Sequence, residues 1–154
     1  MRKVLTLAAL GLLVLGATGC ATLGGPDKQK VVYHINYDDT KLLNAALGNI
    51  KNHINAVCKQ GDATPCKDKL DLRVVMHGNG LDLLKQANTD LDMQQKVIAL
   101  KKQGVGFAVC NNTLVGKKIN YKNDLFDVSE KDIVPSGVAE LALLQQKGYA
   151  YVKP

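Results

Sequence analysis

The sequence predicts one α/β domain, a mostly parallel sheet with helices on both of its faces. Three observations carry that prediction. The chain has 154 residues, enough for one domain with a proper core and too few for two ordinary ones. Hydrophobic residues make up 46% and charged residues 22%, a balance that excludes disorder over the bulk of the chain. Short β-branched runs alternate with longer stretches of three- and four-residue apolar spacing, which is the pattern of βαβ units.

The first segment, residues 1–19, reads as an export leader rather than as part of the fold. Arg2-Lys3 is basic, Val4 to Leu15 is apolar apart from Thr6 and Gly11, and Gly16-Ala17-Thr18-Gly19 is small. The apolar run is shorter than the ~20 residues a helix needs to cross a bilayer. Ala17-Thr18-Gly19-Cys20 resembles a bacterial lipobox, with Ala17 where Leu is usual. The expectation is cleavage before Cys20, acylation of its thiol and a membrane anchor outside the cytoplasm, in the periplasm; ordinary cleavage at a small-x-small site is the alternative. Residues 20–29 carry Gly24, Gly25 and Pro26 among polar neighbours and read as a tether to a domain spanning 30–154.

Within that domain Lys30 to Asn36 (KVVYHIN) is a strand by its β-branched and aromatic content. From Thr40 the apolar residues Leu42, Leu43, Ala46, Leu47, Ile50, Ile54 and Val57 recur at helical spacing, with Asp38, Asp39 or Thr40 available as cap. Leu70 to Met76 (LDLRVVM) is a second strand. Gly80 to about Lys102 reads as one helix, and Val105 to Val109 as a third strand. A short helix is expected near Leu114, then a loop through 121–132. Ile133-Val134 is a brief strand closed by Pro135. Ser136 caps a last helix that ends at Gly148, before a strand at Tyr149 to Val152.

Charge narrows the partners. The formal net charge is +6, or +4 once Arg2 and Lys3 leave with the leader, and the lysines are scattered. Aromatics are 5% with no Trp, so no basic stripe interleaved with rings marks a nucleic-acid surface. No Cys or His pair has finger-like spacing, so no metal site is expected. His77-Gly78-Asn79-Gly80 brackets one residue with glycines before a helix, a turn whose amides could approach an anion. It lacks the third glycine of a dinucleotide fingerprint and the Lys of a phosphate loop, so no nucleotide cofactor is expected. No Gly-x-Ser-x-Gly elbow suggests a hydrolase.

Ligands of such sheets bind outside the carboxyl ends of the strands. There stand His34, His77 with Gly78-Asn79-Gly80, Cys110 with Asn111-Asn112-Thr113, and Pro135-Ser136-Gly137. Cys110 reads two ways: as a thiol whose pKa is lowered by turn amides, or as a small buried hydrophobe ending an apolar run. His34 and His77 could assist the thiol as acid, base or cation, or could simply satisfy backbone groups; His53 is a partly exposed helix residue. Cys58 and Cys66, with seven residues between them in a polar loop, suit a structural disulfide in an oxidising compartment.

The run Gly104-Val105-Gly106-Phe107-Ala108-Val109-Cys110-Asn111-Asn112-Thr113-Leu114 resembles the cysteine segment of the DsrE/DsrF-like sulfur-relay family. Val31 to Ile35, Val75 to Leu81 and Pro135 to Leu141 are similar to its exported branch, and the likeness runs from Lys30 to the C-terminus. The resemblance implies a five-stranded parallel sheet in flavodoxin-like order, assembly into trimers or hexamers, and a cysteine at position 110 that carries sulfane sulfur as a persulfide. The implied partners are a sulfur donor or acceptor protein, or a small sulfur anion. Against this stands a non-catalytic module that binds a small anion or a partner and in which Cys110 only packs.

Overall fold

The computed structural model describes residues 28–58 and 66–154; the expected leader, the acylated Cys20 and most of the tether lie outside them. Strand β1 (Gln29–Ile35) opens the domain, one residue before the strand read from the sequence, and Gln29 is already in register with Leu70. All five residues from Val31 to Ile35 are buried, so this strand lies inside the sheet with both faces covered. Helix α1 (Thr40–Val57) begins where the Asp39 carboxylate accepts from the Leu42 amide at 2.9 Å. It buries Leu43, Ala46, Leu47, Ile50 and Ile54, the stripe set by their spacing.

Strand β2 (Leu70–Met76) follows. The single helix expected over 80–102 is corrected. It is a 3-10 turn (Gly78–Leu81), a short α2 (Asp82–Gln86) and α3 (Leu91–Lys102). The break has a local cause: Asp90 accepts from the Met93 amide and starts a new helix. Its last turn carries Lys101 and Lys102, which suit the negative end of a helix dipole.

Strand β3 (Gly106–Cys110) runs directly into α4 (Asn111–Gly116). The expected loop over 121–132 holds two further turns of helix, α5 (Tyr121–Asp124) and a 3-10 turn (Glu130–Asp132), started by the side chains of Asn120 and Ser129. Strand β4 (Ile133–Val134), α6 (Gly137–Gln146) capped by Ser136, and β5 (Ala150–Val152) complete the chain.

The five strands pair in parallel in the order β4-β3-β2-β1-β5. The flavodoxin-like order, 2-1-3-4-5, is corrected in this respect. Three successive crossovers step the same way from β1, and only the last steps back across it. Right-handed crossovers therefore put α1 to α5 on one face and α6 on the other. Packing agrees: one cluster joins Val31, Tyr33, Ile35, Val74, Met76 and Phe107 to α1, α2 and α3, with Leu114 and Leu125. The opposite face holds Val32 and Val75 against Leu141 and Leu144 of α6. Cys58 and Cys66 are disulfide-bonded with Cα atoms 6.0 Å apart, as their spacing suggested, tying the end of α1 to the approach to β2. No helix among the described residues is long and apolar enough to cross a membrane.

Candidate functional site

Side chains alternate across a strand, so position along it decides which face carries the chemistry. Val32 and Val75 point at α6, and two residues further along each strand His34 and His77 point the same way. In β3 the residue in register with Val75 is Ala108, which puts Cys110 on that same face beside His77. In β5 Tyr151 is in register with Val32; continuing the register sets Lys153 opposite His34. The carboxyl end of the α6 face thus carries Lys153 and His34 level with each other on β5 and β1, and His77 and Cys110 level with each other one step further along β2 and β3, with Tyr151 one step below Lys153.

The two histidines touch. Their Nε2 atoms are 2.7 Å apart, with ring centroids at 4.7 Å, and His34 Nδ1 is 2.7 Å from the Tyr151 hydroxyl. A hydrogen bond between two Nε2 atoms requires a proton on one and a lone pair on the other. Burial, the facing His77 and the Lys153 ammonium hold His34 down to about 4, and burial and Lys153 also lower His77. Both rings are therefore neutral at pH 7. A histidine cation beside the Cys110 thiolate is thus disfavoured, and the pair offers one shared proton and a polar wall.

Thiolate stabilisation comes from elsewhere. Cys110 is 4% exposed, and burial pushes its thiol up, yet hydrogen bonds from the Thr113 hydroxyl and the amides of Gly137, Thr113 and Asn112 outweigh burial and bring it below its ordinary value. The Thr113 oxygen also accepts from the Gly78 amide at 2.9 Å, which leaves its proton free for the sulfur. Gly78 has φ +57, a backbone that favours glycine. Both readings of Cys110 thus hold part of the truth: the residue is buried, but in a cradle of donors.

The remaining residues singled out from the sequence divide. Thr113 and the Asn112 amide favour the anion of the sulfur, the amide while bonded to the Pro135 carbonyl at 3.3 Å, and Gly78 acts through Thr113. Asn111 is exposed at the start of α4, and nothing ties its side chain to the sulfur. Asn79 accepts from Lys117 at 2.7 Å and donates to Asp38 at 3.0 Å, which holds the loop from outside. Gly80 is structural: a Cβ there would run into the Ile35 carbonyl. His53 accepts from Tyr33 at 2.6 Å and faces Gln29 at 3.0 Å, away from the site. Cys58 and Cys66 lie at the opposite end of the sheet.

Sequence reasoning passed over Gly137, Tyr151 and Lys153. A Cβ on Gly137 would sit 2.9 Å from the His77 Cβ and 3.3 Å from the Cys110 Cβ, so glycine is what lets the start of α6 reach the sulfur. The signal was present as Ser136-Gly137 after a strand, but nothing in the sequence says which strand it faces. No group of three or more His, Cys, Asp or Glu among the described residues is placed to hold a metal.

The model of the DsrE/DsrF-like family matches residues 32–154. A protein of unknown function from Methanobacterium thermoautotrophicum, MTH1491, has a structure similar to this one. The TM-score is 0.66 at 28% identity, over 82% of this chain and all of that one. The ychN protein of E. coli shares the fold, with a TM-score of 0.59 at 18% identity, over 81% of this chain and 97% of that one. No curated protein sequence matches the chain.

Proposed function

This chain belongs to the DsrE/DsrF-like family, and we propose that in it Cys110 carries sulfane sulfur as a persulfide. The observation that carries this reading is the seat of the buried Cys110 at the start of α4 and against the first residue of α6, where neighbouring donors favour its anion over burial. An anionic sulfur is the nucleophile that loading requires. In loading, the Cys110 thiolate attacks the terminal sulfur of a persulfide or polysulfide donor. A Cys–S–S bond forms, the donor's S–S bond breaks, and the donor thiolate leaves with the bonding pair. Charge balances and no oxidant is consumed. Discharge to an acceptor thiolate is the same exchange in reverse.

Within the described residues Cys58 and Cys66 are bonded to each other, and Cys110 is the free thiol. Among the described residues no second free cysteine stands ready to resolve the persulfide, which favours handing the sulfur to another molecule, a partner protein or a small sulfur anion. Export and lipid anchoring at Cys20 belong to the same proposal. The basic, apolar and small segments of 1–19 support them, as does a disulfide suited to an oxidising compartment. Assembly into a trimer or hexamer is supported by the exposed Val138 and Leu143 of α6 and Tyr151 and Val152 of β5.

The burial of Cys110 favours a second reading, a binding module in which the thiol only packs. Mass spectrometry of the Cys110 peptide after incubation with polysulfide separates the two. The carrier gains one or more sulfur atoms at Cys110 and a Cys110→Ser chain gains none at that peptide. An unmodified Cys110, with the thiol confirmed free, refutes the carrier.

A further inference from the structure

Resting on the sulfur-carrier reading of Cys110, we infer that Lys153 makes this edge of the sheet selective for anionic sulfur donors. Three features of the molecule point there. Lys153 extends β5 on the α6 face, opposite His34 in register, three strands across from Cys110 and one step short of the level of His77 and Cys110. Its ammonium is held by neutral groups only, the Asn36 side-chain oxygen at 2.5 Å and the Tyr37 ring with the centroid at 5.9 Å. Among the described residues it forms no ion pair, so its charge acts on whatever approaches this end of the α6 face. The neutral histidines add no second cation; instead both imidazoles feel this one. Lys117, on the other flank, is a weaker candidate, since the Asn79 that holds it also binds the Asp38 carboxylate.

The chemistry gives the charge a purpose. With thiosulfate as donor, the Cys110 thiolate attacks the sulfane sulfur, a new S–S bond forms as the old one breaks, and sulfite leaves with the bonding pair. A dianion meets a monoanion and the same total charge leaves, so the encounter is repulsive throughout. A fixed ammonium beside the path offsets that repulsion, and does nothing for a neutral reagent.

The test compares two electrophiles of like size, iodoacetate and iodoacetamide, in the full chain at low salt, read at the Cys110 peptide by mass spectrometry. Relative to wild type, Lys153→Gln should lower the iodoacetate-to-iodoacetamide rate ratio by about twofold, the size expected of one charge three strand spacings, roughly 14 Å, away in a largely aqueous setting. Lys153→Arg should keep the ratio, and about 1 M salt should erase the difference. An unchanged ratio in Lys153→Gln overturns the inference. Polysulfide uptake in the same preparations keeps the two proposals apart. Uptake with an unchanged ratio sinks only the role of Lys153, whereas a wild-type chain that takes up no sulfur sinks the carrier. A Cys110 inert to both electrophiles overturns both.

Discussion

At Cys110 burial and hydrogen bonding pull in opposite directions, and the donors win. Thr113 is the donor that a substitution can remove cleanly. Thr113→Val should raise the pH midpoint of Cys110 alkylation and slow the reaction at pH 7 by about tenfold, the scale of one hydrogen bond to a charged group; Thr113→Ser should restore both. The histidine pair makes a different prediction. His34 is 6.5 in an unfolded chain and about 4 when folded, so the unfolded state binds more protons between those values. Stability should therefore fall as pH drops from about 6.5 towards 4, seen as a declining urea midpoint, and His34→Asn should flatten that decline. The placement of His34, His77 and Cys110 was legible in the sequence, because strand period and strand ends are local patterns. The neutrality of the two histidines was not. It depends on a partner 43 residues away and on Lys153 from the far end of the chain, which only the fold brings together.

The elements were read best where a single stripe of apolar residues meets a clear cap, as in α1. They were misread where a strong cap interrupts the stripe. Asp90 divides the stretch read as one helix, and Asp90→Ala should cost about 1 kcal/mol in a denaturant titration. Helix α6 matters most for the site because its first residue must approach the sulfur. Gly137→Ala places a methyl group between His77 and Cys110. It should cost about 1–3 kcal/mol as an overpacked contact and slow Cys110 alkylation, since the start of α6 must withdraw its amide. Ser136 and Gly137 could be seen at a strand end, but the sulfur they serve is 27 residues earlier and on a neighbouring strand.

Across the whole molecule, parallel α/β architecture followed from the alternation of strand and helix. Strand order did not, since order depends on the direction each crossover takes, and no local pattern records that direction. The order found leaves one face to α6 alone and gathers His34, His77 and Cys110 at the carboxyl end of that face. The Cys58–Cys66 bridge lies at the other end of the strands, on the order of 20 Å away by the rise of a seven-residue strand. Replacing both with Ser should cost about 2–3 kcal/mol in thermal or urea unfolding and leave Cys110 chemistry untouched. The most direct measurement is the alkylation rate of Cys110 against pH in the folded chain. A sigmoid with its midpoint below the ordinary thiol value of 9.0 is predicted. A thiol that stays unreactive across the range, or that titrates at or above that value, would contradict the account.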